Sequence, residues 1–308
     1  MNIRRMFRHR PAQTLEFRNP FRGSLAMPSA QRMLTYLRQA LMLVRATPGR
    51  KGHTLRLTDC SDVLVTGDLH GHVGHFQALL QTASLAANPK RHFVIQEAIH
   101  GPYRYPTGGD KSHQLIDLFA ALKCQYPNRV HYIPGNHELA QWTGRPVLKA
   151  DENLNGLFED GVRTAYGSEF GPEVYQTYLE LFKTLPLAIH TSNGVLVSHS
   201  LPAARTMQLF DPARLERETY EPADLEPGGT VHSLLWGRDT SASNVTEYLQ
   251  KMGARFLLSG HIASETGYSL PNEQQVIVDC AKSPAGFILF PTDRPLTYAD
   301  LMACIRVF

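Results

Sequence analysis

The stretch Val63-Leu64-Val65-Thr66-Gly67-Asp68-Leu69-His70-Gly71-His72 decides how this chain is read. Its leading run of aliphatic residues suits a strand covered on both faces, and the glycine lets the backbone turn sharply where that run ends. Asp68 and His70 follow, two residues apart. In extended backbone this spacing points both side chains to one side, so a carboxylate oxygen and an imidazole nitrogen can converge on a single cation. Taken alone, the pattern is equally that of a solvated loop at a strand end.

The same arrangement recurs three times downstream. Val130-His131-Tyr132-Ile133 runs into Pro134-Gly135-Asn136-His137-Glu138, Gly194-Val195-Leu196-Val197 into Ser198-His199-Ser200, and Ala254-Arg255-Phe256-Leu257-Leu258 into Ser259-Gly260-His261. Four short apolar strands that each end in Asp, Asn or His describe a site assembled from strand ends.

In their order these motifs resemble the calcineurin-like metallophosphoesterases, and within them the phosphoprotein phosphatase branch. The resemblance rests on GDLHG at 67–71, GNHE at 135–138, SHSLP at 198–202 and SGH at 259–261. Ala121-Leu122-Lys123, Tyr126-Pro127-Asn128, Leu185-Pro186-Leu187 and Leu234-Leu235-Trp236 are similar to family landmarks between the motifs, and the likeness covers residues 55–290. It implies a mixed α/β (α+β) sandwich, two mixed sheets packed together with flanking helices, and a di-metal site at strand C-terminal ends. It further implies two-metal hydrolysis of phosphate esters of the protein Ser/Thr phosphatase type, with manganese, iron or zinc as the ions and a phosphoprotein or small phosphate ester as substrate. By the resemblance Asp68 and His70 serve the first metal, and Asn136, His199 and His261 the second. His137, next to Asn136, is then the general acid for the leaving alkoxide. Arg238 in LLWGRD is the remaining phosphate clamp, because a guanidinium fork matches two phosphoryl oxygens; an ion pair with Asp239 is its structural alternative.

The second family element, GDxVDRG, is where this chain departs. It should follow Phe93-Val94-Ile95, and what stands there is Gln96-Glu97-Ala98-Ile99-His100-Gly101. Matching strand lengths puts Glu97 at the bridging Asp; a shift by one puts Gln96 there, and a neutral amide compensates two dications poorly. In the favoured register His100 replaces the Asp that orients the catalytic His, and Gly101 replaces a phosphate-gripping Arg. Residues 102–109 look like an insertion, after which Asp110 and Lys111 either return an acid and a cation to the site or form an ordinary polar turn. The late family motif SAPNY is replaced by Asp279-Cys280-Ala281-Lys282-Ser283-Pro284. These losses leave a second reading open, a degenerate relative that binds phosphate or a phosphorylated partner without turnover. The shared chemistry also admits dinucleoside polyphosphates.

The remaining sequence frames the site. At 308 residues and 43% hydrophobic content the chain can bury a substantial core, and no apolar run reaches the length that crosses a bilayer. Residues 1–56 carry twelve Lys or Arg against Glu16 alone, or +11, so the rest must total +3 − 11 = −8. We read 1–54 as a basic extension, either a solvated tail or a contact for an acidic surface, and 55–308 as the catalytic domain. The mix of Pro, Arg and Asn up to Arg22 reads as poorly ordered, and Ser29 as the N-cap of an amphipathic helix through Val44 that packs on the main domain. Helices are expected over residues 76–87, 114–123, 175–182 and 245–252, and strands over 93–95, 276–278 and 287–290 close the pattern. A basic start without a secretory apolar run, and four scattered cysteines, fit a cytoplasmic protein whose thiols are core residues and not ligands.

Overall fold

The quoted strand, Asp62–Asp68, lies in the middle of a five-stranded sheet. The computed structural model describes residues 29–308; most of the basic extension, including the segment up to Arg22, lies outside the described residues. In spatial order the sheet runs Ile305–Val307, Gly286–Pro291, Asp62–Asp68, Arg91–Gln96, Val130–Ile133. The first two pairings are antiparallel and the last two parallel. A seven-stranded mixed sheet faces it, in the order Arg50–Lys51, Thr54–Arg56, Ala188–His190, Val195–Ser198, Phe256–Ser259, Gln275–Val278, Tyr268–Asn272.

Strand periodicity sorts the core into layers. Val63 and Val65 point with Val94 and Ile133 into the space between the sheets, where they meet Ile189, Val195, Val197, Leu258 and Val276. Leu64, Phe93, Ile95 and Tyr132 point the other way, onto the helices Val73–Ala83, His113–Gln125 and Leu154–Thr184. Leu196 and Leu257 cover the far side of the second sheet and pack against the helices Thr230–Trp236 and Ala242–Met252. Each central strand is thus buried on both faces, which is why it reads as an unbroken apolar run. The helix Ala30–Arg45 begins at Ser29, whose side chain accepts from the Arg32 amide, and it buries Met33, Leu34, Leu37, Ala40 and Val44 in the helix-side core.

Three expectations need correction. The helix after the first motif is Val73–Ala83, stopped by Ser84 in the left-handed region, and does not extend to residue 87. Residues 175–182 are only the end of Leu154–Thr184, whose first part is hidden in sequence by its glycines; Gly167, at φ 73°, breaks the run ahead of Pro172. The chain closes on a further helix, Tyr298–Ala303, capped by Thr297, and on the edge strand Ile305–Val307. Of the cysteines only Cys280 is fully buried, the other three are half-buried, and all four are free.

Lys123 is unusual for this core. It is 1% exposed, donates to Thr47 Oγ1 (2.9 Å) and the Val130 carbonyl (3.0 Å), and has no carboxylate partner among the described residues. Burial, then the nearby Arg50 guanidinium, push its pKa down to about 7. The unfolded chain holds this proton up to its ordinary value of about 10.4, so between those two values the unfolded state binds more protons and stability rises with pH. Lys123→Met should flatten the rise in Tm between pH 7 and 9. A rise as steep as in the wild type would contradict an uncompensated lysine.

Candidate metal centre

Five strand ends open on one place. Asp68 is the last residue of its strand and His70 sits in the turn beyond it at φ 39°, so the pair converges through a left-handed turn and not through extended backbone. Glu97 leaves the strand Arg91–Gln96 at φ 31°, and His261 follows Phe256–Ser259 at φ 66°. With His100 at φ 61°, the centre holds four of the eight non-glycine residues at positive φ among the described residues. Each costs on the order of 1–3 kcal/mol and persists only where its surroundings over-determine it.

Asn136, at the start of the helix Asn136–Thr143, brings Oδ1 to 3.3 Å from His199 Nε2, and His261 Nδ1 lies 3.1 Å from the same nitrogen. His199 Nδ1 is 3.5 Å from Asp68 Oδ1. Glu97, 2% exposed, reaches both sides of the centre: Oε2 is 3.2 Å from His70 Nε2 and Oε1 is 3.6 Å from His199 Nε2. Two groups of potential ligands result, His70–Glu97–His137 and Asp68–Glu97–His199, with their ligand atoms within 4.8 Å of one another, and Glu97 is common to both. Gln96 faces elsewhere, its amide donating to the Thr66 carbonyl at 2.8 Å. Two glycines make room, since a Cβ on Gly135 would collide with the Glu97 carboxylate and one on Gly260 with that of Asp68.

The donor set fits divalent cations. Asp68 Oδ1, His199 Nδ1 and His261 Nε2 are buried polar atoms that make no hydrogen bond among the described residues, a costly state unless something else meets them. Burial holds His199 near its neutral form, with a pKa of about 4, and burial and then His199 push His261 down to about 2. Burial opposes the charge on Glu97, but His199, His137 and His70 outweigh it and hold the carboxyl well below its usual range. Asp68 is held well above its range by burial, then by Glu97. Burial also opposes a charged His70, yet Glu97 and then Asp68 raise it to about 10. The His70 ring is fixed by its Nδ1–H, which donates to the Ile99 carbonyl at 2.9 Å and leaves Nε2 toward Glu97. Oxygen and imidazole ligands without thiolate suit divalent cations that accept both donor types.

The remaining candidates divide. Arg238 is exposed at the rim, donates to the His261 carbonyl at 2.7 Å, and makes no ion pair with Asp239, which accepts from Ser241 instead. Asp110 is buried and binds the Ser112 amide and hydroxyl, and Lys111 lies over the Tyr105 ring, so neither returns a charge to the centre. Gly101 packs on the His70 carbonyl, where a side chain has no space, and the nearby Arg104 donates to the Gly101 carbonyl. His137 Nδ1 lies 2.8 Å from His100 Nδ1, and its ring meets that of His70 edge-on at 4.9 Å. Burial lowers His137 to about 4 and His100 to about 3.

Sequence reasoning passed over Glu138, which is fully buried. Its Oε1 accepts from the Ala98 and Ile99 amides and the Tyr132 hydroxyl, and its Oε2 from the Gly135 amide. It thereby clamps the turn that carries Glu97. A glutamate in the first turn of a helix carries no sequence signal for that task.

Residues 61–265 match the calcineurin-like phosphoesterases. The protein named "Probable serine/threonine-protein phosphatase" in Encephalitozoon cuniculi is 26% identical over 235 residues, 70% of this chain and 46% of its own. Human serine/threonine-protein phosphatase 5 is 24% identical over 237 residues, 70% of this chain and 41% of its own. The chain thus spans under half the length of these two relatives. Among solved structures, a protein serine/threonine phosphatase from Saccharomyces cerevisiae shares the fold with a TM-score of 0.66, over 92% of this chain and 90% of that one at 19% identity. A cold-active protein-tyrosine phosphatase of a Shewanella species shares it at 0.55, over 84% and 82% at 14% identity.

The shared position of Glu97 yields a test. Glu97→Gln should lower metal content after loading from two ions per chain toward one, whereas Gln96→Ala should leave it near the wild-type value. Elemental analysis decides, and the reverse pattern would mean that the register is wrong by one residue.

Proposed function

The chain belongs to the calcineurin-like phosphoesterase family, and from that premise we propose that it hydrolyses phosphate monoesters at a two-metal centre, with phosphoserine and phosphothreonine in proteins as its substrates. The observation that carries this reading is the Glu97 carboxylate common to both ligand groups, since an anion shared by two cation sites is what a two-metal hydrolase requires. Phosphoprotein substrates are supported by the names of the two relatives. Bound cations supply Lewis-acid charge that acidifies a water and neutralises phosphoryl oxygens.

The chain's own residues do the rest. By the family pattern Asp68 and His70 would hold one ion and Asn136, His199 and His261 the other, with Glu97 serving both, although the tightest groupings set His137 beside His70 and Asp68 beside His199. Arg238, at the rim and not paired with Asp239, grips phosphoryl oxygens. His137 takes up a proton from water at Nε2 and hands it to the leaving oxygen. Residues 55–308 form the catalytic domain and residues 1–54 the basic extension, whose helix Ala30–Arg45 packs on that domain and whose end, Arg50–Lys51 and Thr54, joins its second sheet. Manganese, iron or zinc would serve. Among the described residues no helix is long and apolar enough to cross a membrane, and the free cysteines favour a cytoplasmic setting.

Phosphoserine peptides and an aryl phosphate, assayed with and without added manganese, test the reading. Chelation should abolish turnover and manganese restore it. His137→Ala should lower kcat on the peptide by roughly 10²–10⁴ and far less on the aryl ester, whose leaving group needs no proton. Equal losses on both substrates would remove His137 from that role.

A further inference from the structure

Gln141 stands four residues after His137 on the helix Asn136–Thr143, so the two side chains leave the same face. It is 3% exposed, and its amide nitrogen donates to the Tyr175 hydroxyl (2.8 Å) and the Asn155 carbonyl (3.3 Å). A carbonyl can only accept, which fixes the nitrogen at that end of the amide. Gln141 Oε1 is therefore the atom 2.7 Å from His100 Nε2, and it too can only accept. His100 must then carry its hydrogen on Nε2 and present a lone pair at Nδ1. His137 Nδ1, 2.8 Å away, must supply the hydrogen between the two rings. A second proton on His100 would create an imidazolium in a buried position with no carboxylate partner among the described residues, packed edge-on against Phe158.

We propose that Gln141, anchored by Tyr175 and the Asn155 carbonyl, is the positioning residue that sets the tautomer of the His100–His137 pair and leaves Nε2 as the only nitrogen of His137 free to exchange a proton. The device orients His137 without a carboxylate. It adds no second negative charge beside Glu97. It also ties the orientation of His137 to the long helix Leu154–Thr184, which carries both Asn155 and Tyr175.

This inference rests on His137 acting at the phosphate as proposed above. The test uses the metal-loaded full chain as wild type, Gln141→Leu, Gln141→Glu and Tyr175→Phe, with nitrogen-15 NMR of the histidine rings beside steady-state kinetics. The wild type should show hydrogen on Nε2 of His100 and on Nδ1 of His137. Gln141→Leu removes the acceptor and should mix the tautomers, lowering kcat on a phosphoserine peptide about 10- to 100-fold, with KM and metal content little changed and a much smaller loss on an aryl phosphate. Gln141→Glu still accepts from His100 but supplies the carboxylate that lets His100 take a second proton and loses the anchoring amide, so it should show hydrogen on both His100 nitrogens and recover little of the loss. Tyr175→Phe keeps the ring packing and should fall between wild type and Gln141→Leu, so it carries the test if the leucine variant does not fold. Hydrogen on Nε2 of neutral His137 in the wild type, or equal kinetic losses on both esters, would overturn the proposal. A wild type with the expected tautomers but no turnover of either ester would support the tautomer assignment and refute the phosphatase reading instead.

Discussion

Repulsion between two cations held a few ångströms apart is the constraint on which this structure depends. Two unit charges at 4 Å repel by about 4 kcal/mol at an effective dielectric of 20, so two dications repel by on the order of 16 kcal/mol. Hydrogen-bonding dipoles such as an amide do not offset a term of that size, and a shared carboxylate does. Glu97 is buried between His70 and His199, in a position kept open by the absence of a side chain on Gly135. The turn that carries it is held by Glu138, which fills its hydrogen-bonding capacity with the amides on either side. One carboxylate thus supplies charge to the centre, and a second fixes the backbone that delivers it.

The sandwich provides the stiffness this needs. Strands buried on both faces cannot slide without moving every side chain to the wrong layer, so their ends are fixed points. Four residues at the centre sit in the left-handed region, and that strain is tolerated because the strands behind them leave no alternative path. The His261 amide adds a direct tie across the two sheets, donating to Asp68 Oδ2 at 2.7 Å.

What could be read from sequence follows from this division. Asp68, Asn136, His199 and His261 were legible because each ends an apolar run, and a polar ligand type at the close of a buried strand seldom contributes to the core itself. Glu97 was legible only by counting strand length against a known pattern, since its local sequence carries none of the usual glycines or arginine. Asp68 and His70 were legible as a pair, but extended backbone does not bring them together; a turn at His70 does. Glu138, Gln141 and Tyr175 were illegible, because a polar residue on a helix looks alike whether it faces water or a buried partner. The first half of Leu154–Thr184 was hidden by its glycines, although Phe158, Val162 and Tyr166 bury one face of it. For Asp110 and Lys111 the sequence left two readings open, and the polar-turn reading is the one found, since both are spent on their own loop.

The central claim is that one carboxylate, Glu97, lies between two ions. Anomalous diffraction from crystals of the manganese-loaded protein measures it directly. The account predicts two peaks, one beside Asp68 and His70 and one beside Asn136, His199 and His261, with the Glu97 carboxylate touching both. A single peak, or two peaks with Gln96 between them and Glu97 turned away, would contradict it.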